Sequence, residues 1–229
     1  MVTVVKKVKG RTYDNAGRRN QSAETRQRIV DTARELLIER GYRATTIAAI
    51  AKGAGVHVDS VYALVGRKPV LLRELVEQAL SGSDGAVTAE QRGYVKAITA
   101  ESDPVRKLEI YARAVRGIQA RMAPLLLALR DASATELDAQ QVWREISDRR
   151  AANMRKLVRD LGAVGGLRAD LPVDEAADVI WATNSPELYV LLTAERGWTP
   201  ARYERWLADT WCRLLLPDSV AAARRPSEP

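Results

Sequence analysis

TIAAIAKGAGVHVDSVYALVGRK, residues 46–68, reads as two short helices joined by a glycine turn. Ile47, Ile50 and Ala51 share one face of a first helix, and Ala54 extends it. Gly55 can take the positive φ that stops this helix, which a residue bearing a β-carbon does only at a cost. Val58, Val61, Tyr62 and Val65 then recur at helical spacing, and Ala51 is small enough to let the second helix cross closely. This is a helix-turn-helix arrangement with His57 to Leu64 as the recognition helix, the element that enters a DNA major groove. An ordinary core hairpin has the same periodicity, so charge must choose between them.

Charge favours the DNA reader. The 229 residues carry a formal net charge of +7. Residues 1–80 hold 15 Lys and Arg against 8 Asp and Glu, whereas residues 81–229 hold 21 of each. The surplus is thus confined to the part containing the hairpin, which points to nucleic acid over general solubility. Cys212 is the only cysteine, so no intramolecular disulfide can form, and a buried inert thiol is the expectation. With no signal-like or membrane-spanning apolar run, a cytoplasmic protein without membrane contact is expected.

Residues 1–22 form a basic arm with Lys6, Lys7, Lys9, Arg11, Arg18 and Arg19 against Asp14. It either follows phosphates and the minor groove or serves only as a solubilising tail. Ser22 is expected to cap a supporting helix with Ile29, Ala33, Leu36 and Leu37 on its buried stripe, ended by Gly41. Arg43 lies in the following loop, and Thr45 or Thr46 should cap the next helix. A threonine there can also donate its hydroxyl to a phosphate.

The string from Glu24 to Leu80 resembles the tetracycline-repressor-like (TetR) family of bacterial transcription regulators. The matching residues are Arg28-Ile29, Ala33, Gly41-Tyr42, Thr45-Thr46, Ile50-Ala51, Ala54-Gly55-Val56, Val61-Tyr62, Gly66, Lys68 and Leu71-Leu72. The run from Ala176 to Pro217 also looks like the ligand-domain end of some members. The resemblance implies an all-α homodimer with a three-helix DNA-binding domain and a larger helical domain that binds a small effector. It further implies phosphate contacts from Thr46, Ser60, Tyr62 and Lys68, and base-facing positions at His57, Val58 and Asp59. This chain departs from the usual pattern at His57, Leu64 and Val65. Leu64 either packs or touches a thymine methyl, and His57 contacts DNA or is simply a solvated helix start. Asp59 either accepts from a cytosine amine or caps its helix.

The remainder is helical in pattern, with expected helices near 104–121, 124–131, 136–162, 174–195 and 200–216, separated at prolines. Lys68-Pro69 opens the helix that links the two domains. Two apolar stripes are interrupted by polar residues, Arg150 and Asn153 in one, Asn184 and Ser185 in the other. Pro186 should kink or break the second and free a carbonyl near Asn184. Buried polar groups need partners, so Tyr111, Trp143, Arg150, Asn153, Trp181 and Asn184 are candidate cavity residues for a polar ligand; the alternative is that they satisfy one another. Ile180, Tyr189, Leu191, Trp206, Leu207, Trp211 and Leu214 offer apolar surface for a homodimer interface.

Together these readings give an all-α chain organised as arm 1–22, helix-turn-helix domain 23–67, helical effector and dimerisation domain 68–217 and tail 218–229. The expected function is a sequence-specific regulator binding a palindromic double-stranded operator, most simply a repressor released by a small-molecule effector. The rival is an architectural or effector-independent DNA-binding protein. No constellation of nucleophile and base, paired carboxylates or metal ligands suggests an enzyme, and no cofactor is expected.

Overall fold

A computed structural model describes residues 15–82 and 88–222, and every element among them is helical. Helix α1 (Asn15–Ala44) is followed by α2 (Ile47–Ala54), α3 (Val58–Val65) and α4 (Lys68–Ser81). After a 3₁₀ turn at Ala89–Gln91 come α5 (Gly93–Ala100), α6 (Pro104–Ser133) and α7 (Leu137–Ala163). The chain closes with α8 (Val173–Thr183), α9 (Pro186–Val190) running into a π-helical turn at Leu191–Glu195, α10 (Pro200–Leu215) and α11 (Asp218–Ala222). No helix among the described residues is long and apolar enough to cross a membrane.

Local chemistry sets the boundaries of the first domain. Thr46 Oγ1 accepts from the Ala49 amide at 3.1 Å and caps α2. Gly55, at φ 67°, closes α2 in the left-handed region, and its N–H bonds back to the Ala51 and Lys52 carbonyls. Val61 and Val65 of α3 pack with Ile50, Ala51 and Ala54 of α2 and with Ile29, Ala33 and Leu37 of α1. Gly53 lies so close to α1 that an added β-carbon would stand 2.6 Å from Thr32 Cγ2.

Two boundaries differ from the sequence expectation, and a third follows it. Helix α1 starts at Asn15, so Ser22 is an exposed residue inside a helix and not its cap; Arg18 and Arg19 belong to that helix, while residues 1–14 of the expected arm lie outside the described residues. Pro124 does not divide its segment, and α6 runs unbroken for 30 residues. Proline in a helix interior costs about 3 kcal/mol, but Met122, Ala123, Leu125, Leu126 and Leu129 around it are all buried. Burying one large aliphatic side chain contributes about 1.5–3 kcal/mol, so the continuous stripe outweighs the lost bond. The expected 174–195 helix does break, with Asn184 ending α8 and Ser185 capping α9 through the Leu188 amide at 3.3 Å.

Two apolar cores result. The first joins α1–α4 to the second half of α6 and the first half of α7. The second joins α5, the first half of α6, the rest of α7, α8 and α10. Helix α6 therefore belongs to both cores and connects the helix-turn-helix unit to the C-terminal helices.

Candidate functional site

Helix α3 buries Val61 and Val65 and turns its other side to solvent. His57, Val58, Asp59 and Tyr62 are all exposed, Tyr62 by half. Ser60 is half-buried, and Leu64 packs against the first core while its carbonyl accepts from Arg26 Nε at 3.2 Å. His57 occupies the N-cap position of α3 without a side-chain cap bond, so the capping place suggested for Asp59 belongs to His57, and Asp59 sits in the first turn. A carboxylate there faces the positive end of the helix dipole.

Flanking residues divide by burial. Thr46 is exposed, and its hydroxyl, although accepting from Ala49, retains a proton to donate. Thr45 is fully buried, and its hydroxyl donates to the Gly41 carbonyl at 2.8 Å, which removes it from solvent. Arg43 is exposed and stands 3.6 Å from Glu136. Lys68 donates to the Tyr42 carbonyl at 2.8 Å and lies 3.8 Å above the Tyr42 ring. Burial lowers the Lys68 pKa from its ordinary value, and burial, then the nearby Glu136 carboxylate, pushes the Tyr42 hydroxyl up to about 12. The Lys68 ammonium keeps two of its three N–H groups beyond the bond to Tyr42.

A cavity of about 290 Å³ opens among α4, α5, α6, α7 and the α8–α9 break. Tyr111, Arg150, Asn153 and Asn184 line it. Asn184 is the hub of its polar end. Its Nδ2 donates to the Tyr111 hydroxyl at 2.8 Å, and its Oδ1 accepts from Arg150 Nη2 at 2.7 Å. Arg150 Nη2 also donates to the Trp181 carbonyl at 2.6 Å, and Tyr111 donates to Met154 Sδ at 3.2 Å. The carbonyl freed at Asn184 accepts from Gln119 Nε2. Burial raises the Tyr111 pKa, keeping it a neutral donor, and burial lowers that of Arg150.

Two of the six cavity candidates are placed elsewhere. Trp143 packs on the first core, and Trp181 lies under the Arg150 guanidinium, 4.9 Å from ring centroid to Cζ, without reaching the wall. Tryptophan in an interrupted stripe follows the apolar side of its helix and not the gap. Gln119 escaped the sequence reading although it carries a signal, because it continues the buried stripe Tyr111, Val115 and Met122 of α6 as a polar residue.

Among the seven expected interface residues, Ile180, Leu207 and Trp211 are fully buried in the chain's own second core. Leu191 and Leu214 are each 44% exposed, and Tyr189 and Trp206 are half-buried.

Residues 29–75 match the family model described as bacterial regulatory proteins, tetR family. Among solved structures, the SmeT–triclosan complex superposes with a TM-score of 0.67 at 19% identity, over 90% of this chain and 96% of that one. NalD of Pseudomonas aeruginosa, the secondary repressor of the MexAB-OprM multidrug efflux pump, gives 0.66 at 21% identity over 86% and 99%. A Saccharomonospora viridis protein described as a transcriptional regulator, in complex with choline, gives 0.63 at 20% identity over 85% and 99%. No curated protein matches the sequence.

Proposed function

We propose that the chain is a DNA-binding transcriptional regulator of the tetR family, whose model matches residues 29–75, and that it acts as a homodimeric repressor released from its operator by a small molecule in the cavity of the C-terminal domain. The observation that supports this most is the position of the cavity. Its wall includes Leu80 at the end of α4, the helix that leaves the helix-turn-helix unit. Glu77 of α4 pairs with both Arg92 and Arg149, which line the same cavity. A ligand that repositions those arginines changes the seat of α4 and the spacing of two recognition helices. Operator release is then the difference in effector affinity between two arrangements. Small molecules in the choline and triclosan complexes of similarly folded proteins are consistent with this use of the domain.

In this reading Thr46, Ser60, Tyr62, Lys68 and Arg43 hold phosphates, and His57, Val58 and Asp59 meet base edges, with Leu64 supporting the helix from beneath. Thr45 orders the turn and touches no DNA. Selection from a random duplex pool tests the assignment. The wild-type protein should enrich an inverted repeat. Tyr62→Ala should weaken binding to every sequence alike, whereas His57→Ala should relax the preference at one position per half-site, worth about 1–3 kcal/mol of discrimination. A pool with no enriched sequence would identify an architectural binder instead.

A further inference from the structure

Arg92, Arg149, Arg150 and Lys156 stand on the cavity wall against only two carboxylates, Glu90 and Asp160. Most of these charges are matched. Glu77, behind the wall, is shared by Arg92 and Arg149; Lys156 faces Glu90 at 3.5 Å; Asp160 is held by Lys107 at 2.6 Å. Arg150 is the exception. Among the described residues it has no carboxylate within ion-pair distance, only the Trp181 carbonyl, the Asn184 amide oxygen and the face of the Trp181 ring. Both hydrogen bonds leave from Nη2, and the Glu187 carboxylate, which acts on Arg150 from beyond ion-pair distance, is itself paired with Arg130. A guanidinium does not discharge in a protein, and Arg150 is partly buried, so an anion in the cavity would match a charge that solvent meets only in part.

Beside it lies a second unmet group. Gln119 is 5% exposed, and its Nε2 donates to the Asn184 carbonyl while its buried Oε1 has no partner. Gln119 and Arg150 both bond to Asn184, which puts an unsatisfied acceptor and a cation with no ion-pair partner among the described residues at one end of the cavity. The remaining wall is largely apolar, with Val115, Ile118, Met122, Leu126 and Ile146.

We propose that the ligand of this cavity is an organic anion with an apolar body, its anionic head on Arg150 and a hydroxyl or N–H group donating to Gln119 Oε1. The proposal rests on the reading of the cavity as the effector site. A cationic ligand would meet a wall with surplus positive charge, and a neutral one would leave Arg150 without an ion pair. The volume admits on the order of ten water-sized groups at about 30 Å³ each, so medium-chain and bicyclic aromatic acids fit.

Calorimetric titration of the full chain with octanoate, naphthoate, hydroxyoctanoate, octanol and octyltrimethylammonium tests it. At least one of octanoate and naphthoate should bind tenfold or more tightly than octanol and octyltrimethylammonium. A hydroxyoctanoate isomer should bind more tightly than octanoate, and Gln119→Leu should erase that advantage. Arg150→Met should abolish the preference for acid over alcohol, and Arg150→Lys should restore part of it in a protein with the same melting profile as the wild type. Failure of both acids to bind, equal binding of acid and alcohol, or an unchanged preference in Arg150→Met overturns the proposal. Operator DNA added to the same samples separates the two readings. Acids that bind as described without releasing DNA would retain the ligand class and overturn effector release; release by octanol or the quaternary amine alone would do the reverse.

Discussion

Thr45 and Thr46 are neighbours in sequence with opposite surroundings. The hydroxyl of Thr45 is enclosed and bonded to Gly41, while that of Thr46 caps α2 at the surface. Thr45→Val should lower stability by about 1 kcal/mol, the net worth of one internal hydrogen bond, and leave the affinity of the folded protein for its operator unchanged. Thr46→Ala should cost a similar amount through the lost cap and also weaken operator binding. Denaturant melts with binding isotherms on the folded fraction check both, and equal operator affinity in the two variants would remove Thr46 from the phosphate contacts. Periodicity and capping chemistry made Gly55, the stripe of α3 and the break at Asn184–Pro186 readable from sequence, because each follows from neighbours within a few positions. Which threonine faces inward was not readable, since it depends on how α1 kinks at Gly41 and turns Tyr42 into the core. Gln119 was missed for a related reason: its unmet oxygen exists only because a carbonyl on another helix occupies its nitrogen.

At the scale of elements, α6 shows why local rules misplace a boundary. Pro124 would end an isolated helix, but this one is held from both sides by packing that no local pattern reports. The start of α1 at Asn15 is the opposite error, because a basic, polar stretch extends a helix whose stability comes from its later turns. Lys107 is another element-scale feature invisible in sequence. It is 1% exposed, and its ammonium bonds the Ile98 carbonyl near the end of α5 at 2.6 Å and Asp160 of α7 at 2.6 Å, tying three helices together. Lys107→Met should cost about 2 kcal/mol, below the 3–5 kcal/mol of a wholly buried pair because Asp160 is one-third exposed. Adding Asp160→Leu should recover most of that loss, since an apolar replacement leaves no charge behind. A double variant no more stable than Lys107→Met would show that the pair is not the source of the effect. The two free energies come from chemical unfolding.

Over the whole molecule, Leu191 and Leu214 stay exposed and Tyr189 and Trp206 half-buried, and in the proposed homodimer these residues face the second copy. Leu214→Asp should shift the protein to a monomer in sedimentation velocity and cut operator affinity at least tenfold, because one recognition helix alone reads half a site. Retention of a dimer would move the interface elsewhere. Leu191→Asp provides an independent test of the same surface. The two-part charge distribution of the sequence has its counterpart in the two cores, but the sharing of α6 between them is a three-dimensional fact that no division of the chain at one residue expresses. The polar end of the cavity is also built unevenly. Two of its acceptors, at Trp181 and Asn184, are main-chain carbonyls, which any amino acid would supply. In the proposed effector site, substitution at 119 and 150 would therefore recast the preferred small molecule, and only a replacement that still donates to those two carbonyls would do so without a cost in stability.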